Sequence, residues 1–137
     1  MILIVVPGIP KGKGRPRFRR IGVSVITYTP PQTKKYEDQI RLCAIQAMNG
    51  GEPLDGPIEA QMIAYLPIPG SWPKHRREQA LSGAVHPQTK PDVDNLLKNL
   101  DGINGIAIED DKQIVKASIC KAYSDNPRLE IRISKYY

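Results

Sequence analysis

Acidic residues recur at close spacing in two short stretches of a chain that is otherwise basic. Asp92 and Asp94 stand in the run Lys-Pro-Asp-Val-Asp-Asn-Leu-Leu-Lys at 90–98, and the second stretch is Glu-Asp-Asp at 109–111. The chain nevertheless carries a formal net charge of +6. Basic proteins attract polyanions such as nucleic acid, whereas carboxylates repel phosphate unless a divalent cation lies between them. This combination predicts metal-assisted chemistry on nucleic acid.

The segment between the two acidic stretches is about long enough for one helix and a turn. The chain could therefore fold back and bring Asp111 beside Asp92 and Asp94. Three crowded carboxylates raise one another's pKa unless a cation binds them. Carboxylate oxygens suit Mg²⁺, and Mn²⁺ could substitute. We therefore expect a magnesium site at these three residues.

The first acidic stretch also has a structural interpretation. Residues 89–92 have the form of a helix start, in which Asp92 would cap the N-terminus and Asp94 would interact favourably with the helix dipole. Asp94 and Lys98 would then be i,i+4 neighbours that form an ordinary surface ion pair. A cap requires only one acidic group, however, and two are present. The residues alone leave both interpretations open.

Two clusters of basic residues could contact a DNA backbone. Residues 10–20 interleave Lys and Arg with Gly, which lets a backbone approach a ligand closely. The second cluster lies beside Trp72, the only tryptophan, which could stack on an unpaired base but is more often a core anchor. The alternative for both clusters is a solvated surface. The residues expected to contact DNA are Lys11, Lys13, Arg15, Arg17, Lys74, Arg76 and Arg77.

Length and composition are those of one soluble domain. The 137 residues are enough for one hydrophobic core. Cys43 and Cys120 are the only cysteines and form no CxxC motif, which argues against a zinc site or a disulfide framework. No segment resembles a signal peptide or is long enough to span a bilayer. We expect a single cytoplasmic domain over residues 1–137, with no membrane contact.

The elements that position these residues follow from hydrophobic periodicity. Apolar runs predict strands at 2–6, 23–28, 58–66 and 105–108. In the strand at 58–66, apolar residues alternate at 58, 60, 62, 64 and 66, which predicts one face toward the core. A helix begins near Pro31, after the form of a capping box at Thr29, and ends at 49–51. Its apolar stripe predicts burial of Tyr36, Ile40, Cys43, Ala44 and Ala47.

The rest of the chain predicts further helices and a terminal pair of strands. A short helix is expected within 71–81, and another begins near residue 92. Alternating residues at 115–119 and 129–133, with turn chemistry at 125–127, predict two antiparallel strands of a half-exposed sheet. Together the elements predict an α/β (α+β) fold with a mixed β-sheet flanked by helices.

The acidic motif resembles that of the RusA family of Holliday junction resolvases, which is common in phages and prophages. The family pattern is K-P-D-x-D-N-L-x-K, then Leu-Asp, Asn-Gly and an Asp-Asp pair before a strand. This chain matches it at 90–98, 100–101, 104–105 and 110–111. The basic segment at 11–18 is also similar to the family's segment after its first strand.

The resemblance implies a RusA-like fold and metal-dependent hydrolysis that resolves four-way DNA junctions. By position it implies Mg²⁺ ligands at Asp92, Asp94 and Asp111, with Asp110 as the alternative third carboxylate, and a catalytic lysine at Lys98. It further implies a homodimer that cuts two opposed strands of branched DNA. Recombination, repair and phage DNA processing fit equally. A nuclease for other DNA structures and a non-enzymatic DNA-binding module remain the rival hypotheses.

Overall fold

A mixed four-stranded sheet organises the computed structural model, which describes residues 1–14, 17–28 and 30–137. The strands are β1 (Ile2–Pro7), β2 (Arg17–Ile21), β3 (Ser24–Tyr28), β4 (Ile58–Leu66), β5 (Ile114–Tyr123) and β6 (Arg128–Lys135). The helices are α1 (Pro31–Met48), α2 (Lys74–Ser82) and α3 (Val93–Leu97), with 3₁₀ turns at Lys98–Ile103 and Asp111–Gln113. This mixed α+β architecture confirms the predicted fold class.

The strands of the main sheet follow the order β1-β6-β4-β5. β4 pairs with β5 in parallel and with β6 antiparallel, and β1 pairs antiparallel with β6. Because successive side chains point to opposite faces of a strand, β4 buries every second residue against the core. The buried set is Ile58, Ala60, Met62, Ala64 and Leu66, as the sequence predicted.

The last two strands, β5 and β6, run antiparallel in one sheet as predicted, but they are not neighbours in it. β4 lies between β5 and β6, so those two strands do not pair with each other. The physical reason is the burial that β6 requires. Leu129, Ile131 and Ile133 are fully buried, which calls for a strand inside the sheet with partners on both sides. A half-exposed hairpin could not supply that environment.

Helix α1 covers the core face of the sheet. Tyr36, Ile40 and Ala44 are buried there, and Cys43 and Ala47 pack against the same core, as predicted. Pro31 is the first helical residue, and Asn49 ends the helix in the left-handed conformation with φ 48°. Pro30 occupies the N-cap without a side-chain hydrogen bond, and the capping box predicted at Thr29 lies outside the described residues.

Two segments differ from their predicted structures. Residues 17–21, predicted as part of a basic loop, form β2 and pair with β3 in a hairpin in which every strand residue is exposed. β2 has no buried face, so its sequence shows no apolar alternation, whereas β3 was predicted from the apolar run at 23–28. Residues 105–108, predicted as a strand, form a turn at Gly105, whose φ is 76°. Their apolar side chains serve the core rather than a sheet, and Ala107 and Ile108 are fully buried.

The short helix that was predicted after Trp72 is α2. Across residues 1–14, 17–28 and 30–137, none of the helices combines the length and the apolar character needed to cross a bilayer.

The Lys98–Ile103 turn packs closely against α1. Gly102 is buried, and a Cβ placed on it would lie 2.9 Å from Cγ2 and 3.2 Å from Cβ of Ile40. Ile40 is itself fully buried and branched at Cβ, so it has little freedom to move. Glycine at 102 therefore sets the closest approach of the turn to the helix.

Gly102→Ala should lower the free energy of unfolding by about 1–3 kcal/mol, because the added methyl group overpacks the contact with Ile40. Urea denaturation followed by circular dichroism measures this loss. Gly70→Ala is the matched control, since a Cβ at Gly70 meets nothing within 4 Å and its φ is not positive. Equal unfolding midpoints for the two variants would contradict the close approach.

Candidate active site

The acidic motif forms the start of α3 and is tied to both the core and the sheet. Asp92 is the N-cap residue, and its carbonyl accepts a hydrogen bond from the N–H of Leu96 at 3.0 Å. Leu96 is fully buried and anchors the helix. On β5, the ammonium of Lys121 donates to the carbonyls of Thr89 at 2.6 Å and Pro91 at 3.2 Å. The loop that leads into Asp92 is therefore fixed from two sides.

The carboxylates of Asp92 and Asp94 face solvent. Both residues are exposed, and the side chain of Asp92 makes no capping hydrogen bond despite its N-cap position. Neither carboxylate takes part in the ion pairs found in the described part of the chain. The structural interpretation of Asp92 thus lacks the contact through which a capping side chain stabilises a helix. Both groups are accessible to a ligand.

Lys98 follows one turn after Asp94 and is also exposed. Its ammonium donates a hydrogen bond to Oδ1 of Asn95 at 3.1 Å rather than pairing with Asp94. An amide partner orients the ammonium without neutralising it. The segment 92–98, which we call the exposed end of α3, therefore presents two carboxylates and one lysine whose hydrogen-bond partner is an uncharged amide.

Asp110 and Asp111 differ in what their carboxylates do. Asp110 caps the following 3₁₀ turn by accepting the N–H of Lys112 at 2.9 Å, while Oε1 of Gln113 accepts the N–H groups of Glu109 and Asp110. The Lys112 N–H, followed by a hydrogen bond with Asp111, lowers the pKa of Asp110. The spacing Asp-x-x-Gln at 110–113 is a capping-box signal that sequence reasoning missed.

Asp111 is exposed and meets other carboxyl groups. Its pKa is raised, first by a hydrogen bond with Asp110 and by partial burial, then by the hydrogen bond and charge of Asp101. In the described ranges, no three His, Cys, Asp or Glu side chains lie close enough together to hold a metal ion. The structure thus brings Asp111 to Asp101 and does not gather it with Asp92 and Asp94. The metal site stays a prediction.

The N-terminal basic segment docks directly on α3. The N–H of Lys13 donates to the carbonyl of Asn95 at 2.9 Å, and Nδ2 of the buried Asn99 donates to the carbonyl of Lys11 at 2.7 Å. A Cβ on Gly12 would lie 2.9 Å from Cβ of Asn95, so glycine permits this approach. Sequence reasoning treated the basic segment and the acidic motif as separate parts. In the structure they form one unit.

The side chain of Lys13 belongs to that unit. Its ammonium lies 3.0 Å from Asp101 and 3.5 Å from Glu37 of α1. Burial lowers the pKa of Lys13, but the hydrogen bond and charge of Asp101, and then Glu37, outweigh it and the pKa is raised. A lysine with two carboxylate partners has little charge left for phosphate. This geometry favours a positioning role, and the contact of Lys13 with DNA stays a prediction.

The other residues expected to contact DNA lie in several places. Lys11 and Arg17 are exposed, and Arg15 lies outside the described residues. Lys74 is exposed at the start of α2. The guanidinium of Arg76 lies 4.1 Å from the centre of the Trp72 ring. Arg77 reaches the Pro69 carbonyl at 3.4 Å and Asp125 at 3.9 Å.

Comparison with known proteins identifies the family of the chain. The family model described as endodeoxyribonuclease RusA matches residues 7–134. The chain is also similar to the uncharacterized protein YqaN of Bacillus subtilis (strain 168). The two are 34% identical over 135 residues, which cover 96% of this chain and 94% of YqaN. The match places the chain in a DNA-cutting class of enzyme. The chain belongs to the RusA endodeoxyribonuclease family.

Lys13→Met should lower the free energy of unfolding by about 1 kcal/mol, because it leaves Asp101 and Glu37 without their shared cation. Urea denaturation provides the measurement. Lys135→Met is the matched control: it removes a pair of similar length, 2.9 Å to Asp55, at a site where the Asp55 side chain is 86% exposed. The control should unfold nearly like the parent protein. Equal losses in the two variants would mean that the Lys13 contacts behave as an ordinary surface pair.

Proposed function

We propose that the protein is a metal-dependent endodeoxyribonuclease that resolves four-way DNA junctions as a homodimer. The observation that carries this proposal is the exposed end of α3, the segment 92–98, which comprises α3 and its two cap residues. Among the residues that the structure describes, the Asp92 and Asp94 carboxylates have no structural partner, and the ammonium of Lys98 is held by Asn95. Membership of the RusA family supplies the class of reaction, which is hydrolysis of DNA phosphodiester bonds.

The donor chemistry at this site suits Mg²⁺ or Mn²⁺. Asp92, Asp94 and Asp111 would hold the ion through carboxylate oxygens, the ligands that hard cations prefer, and Asp111 would have to approach the other two on binding because the described structure does not gather the three. The pKa of Asp111 is raised by its hydrogen bond with Asp110, by partial burial and then by Asp101, and a bound cation would take the place of the proton that these contacts favour. Mg²⁺ is commonly held by one or two carboxylates together with substrate phosphates, so a closed protein cage is not required. When bound, the ion supplies an activated water and neutralises charge on the phosphoryl group.

The chain's own residues would then act on the phosphate and on each other. The ammonium of Lys98 would stabilise the negative charge that develops on the phosphate or the leaving oxygen. The side-chain oxygen of Asn95 accepts a hydrogen bond from that ammonium at 3.1 Å, and its backbone carbonyl accepts one from the N–H of Lys13. Asn95 is therefore a positioning residue that links the lysine to the basic segment.

The β2–β3 hairpin offers a surface for the DNA backbone. Every residue of both strands is exposed, and Arg17, Arg19 and Arg20 lie on β2. Arginines of this kind contact phosphates irrespective of sequence, and a two-stranded ribbon fits the major groove of DNA. The junction would be chosen by its shape, with the twofold axis of the homodimer matching the pseudo-twofold axis of a four-way junction.

The direct experiment compares a synthetic four-way junction with a linear duplex of the same sequence, with and without Mg²⁺. Paired cuts in opposed strands of the junction, absent after EDTA treatment, are the expected result. Equal cutting of both substrates would identify a nuclease of broader substrate range. Junction binding with no cleavage under either condition would identify a DNA-binding module instead.

Substitutions of the three proposed metal ligands separate chemistry from DNA binding. Asp92→Asn, Asp94→Asn and Asp111→Asn should each reduce cleavage about 100-fold or more, since each removes a ligand charge at nearly constant shape. Junction affinity should persist or rise, because repulsion of phosphate falls. Asp38→Asn, an exposed residue of α1, is the control and should cut normally. Single-turnover cleavage and gel-shift assays supply both readouts.

Lys98 gives a complementary result in the same assays. Lys98→Met should lower the cleavage rate about 100-fold while leaving Mn²⁺ binding intact, because the lysine acts on the phosphate. Lys35→Met, an exposed residue of α1, controls for the loss of one positive charge. Folded Asp92→Asn and Asp111→Asn proteins that cut at the parent rate would overturn the assignment of this site.

The hairpin predicts a change in salt dependence. Replacing Arg17, Arg19 and Arg20 together by Gln should weaken binding to all DNA. The slope of log affinity against log salt should also become shallower, by about 0.9 for each phosphate that the variant no longer neutralises. Fluorescence anisotropy across a salt series measures both quantities with a labelled duplex.

A second triple variant controls for net charge. Neutralising Lys34, Lys35 and Arg41 on α1 removes the same charge from a different exposed surface. This control should keep the parent slope. If the two triple variants have the same slope, the hairpin is only part of a general basic field.

A further inference from the structure

A cavity of about 390 Å³ opens beside the acidic motif. It forms where β4 and β5 end, next to the segment after β1 and the loop before α3. Because β4 and β5 are parallel, their carboxyl ends meet at one edge of the sheet, where ligands often bind in such folds. Its apolar and aromatic walls include Ile9, Leu66, Trp72, Pro91 and Tyr123.

The aromatic wall of the cavity is held in place. The ring of Tyr123 meets Trp72 edge to face, with the ring centres 5.2 Å apart at 69°. The guanidinium of Arg76 covers the Trp72 ring at 4.1 Å. At the end of β4, the N–H of Ser124 donates to the carbonyl of Leu66 at 3.0 Å. These contacts hold the rings of the wall relative to one another and to the end of β4.

The same loop shapes the cavity and places the acidic motif. Thr89, Lys90 and Pro91 line the cavity, and Asp92 follows directly in the chain. Lys121 holds the carbonyls of Thr89 and Pro91 on the sheet. The cavity and the candidate active site are therefore joined through the chain, because Pro91 lines the cavity and its neighbour Asp92 belongs to the site.

We propose that this cavity takes an unstacked nucleobase of the DNA strand that is bound at the end of α3, an inference that rests on the proposed function. A base has planar, apolar faces, which suit walls of aromatic rings and proline. Lys90 lines the cavity and Arg76 covers its aromatic wall, so positive charge lies where the adjoining phosphates would run.

This occupant also accounts for a preference for branched DNA. Taking a base out of a paired stack costs free energy, and the cost is least where the base is already unpaired or poorly stacked. Strands at a branch point meet that condition more readily than a continuous duplex. The cavity would then add selectivity for structure while tolerating any base, because every base has a π-face.

Trp72 is the only tryptophan of the chain, so its fluorescence reports directly on the cavity. The experiment titrates the full-length protein in EDTA with a ten-nucleotide oligothymidylate and with an abasic oligomer of equal length and charge. Anisotropy of a label on each oligomer measures binding independently. The expected result is strong quenching of Trp72 by the oligothymidylate and little by the abasic oligomer at equal saturation. Equal quenching by both, or none by either, would overturn the proposal.

Substitutions in the aromatic wall test the same point through affinity. Tyr123→Leu should weaken oligothymidylate binding about tenfold and leave binding of the abasic oligomer unchanged. Tyr123→Phe keeps the ring and should bind like the parent protein. Tyr136→Leu removes a half-exposed tyrosine that does not line the cavity and is the control. Thermal melts identify any variant that fails to fold, in which case the fluorescence of the parent protein decides.

Failure of this inference is distinguishable from failure of the proposed function. Junction cleavage without base-dependent quenching would overturn the cavity proposal and leave the nuclease in place. Base-dependent quenching without cleavage would support the cavity and overturn the nuclease. Trp72 fluorescence that changes with protein concentration in the absence of DNA would show that a second copy of the chain fills the cavity, which would also overturn the proposal.

Discussion

The docking of the N-terminal basic segment on α3 is the contact on which the rest of the site depends. Two hydrogen bonds define it, from the N–H of Lys13 to Asn95 and from the side chain of Asn99 to the carbonyl of Lys11. Asn99 is buried, so removing its partner would leave an unsatisfied polar group in the core. Since Lys13 also reaches Glu37 on α1, the contact fixes three elements relative to one another. Glycine at position 12 is the condition for this approach.

The acidic residues around this contact differ in whether their carboxylates have partners within the protein. Lys13 neutralises the half-buried Asp101, and Asp110 is occupied with a helical cap. In the part of the chain that the structure describes, Asp92 and Asp94 have no such partners, and both are exposed. Free carboxylates in a chain of net charge +6 oppose binding of a polyanion, so their exposure is costly unless it serves chemistry. This contrast supports the roles proposed for Asp92 and Asp94, whereas the role proposed for Asp111, which contacts Asp110 and Asp101, rests on the resemblance to the family motif.

Sequence patterns predicted the parts of the fold that one strand or helix determines alone. The alternation in β4 and the apolar stripe of α1 are local signals, and both were confirmed. The position of β4 between β5 and β6 depends on long-range burial, which periodicity does not record. In the β2–β3 hairpin, the apolar run at 23–28 predicted β3, but β2 is a basic strand with no buried face and gave no signal. Within the site, motif spacing predicted the acidic residues and the lysine at 92–98. The partners of Lys13 are distant from it in sequence, and so are the residues that line the Trp72 cavity from one another. Only the fold brings these residues together.

The loop before α3 joins two properties that a junction-cutting enzyme would need together. Residues 89–91 line the apolar cavity and lead directly into Asp92. Lys121 of β5 holds this loop through the carbonyls of Thr89 and Pro91. If a base entered the cavity, the loop at 89–92 would place the adjoining phosphate near the carboxylates. No contact that reads the DNA sequence would be needed for this positioning. Binding energy gained from stacking would then be available only to strands whose bases leave the duplex at small cost. Selection of branched DNA and positioning of the scissile phosphate would therefore follow from the same rigid loop.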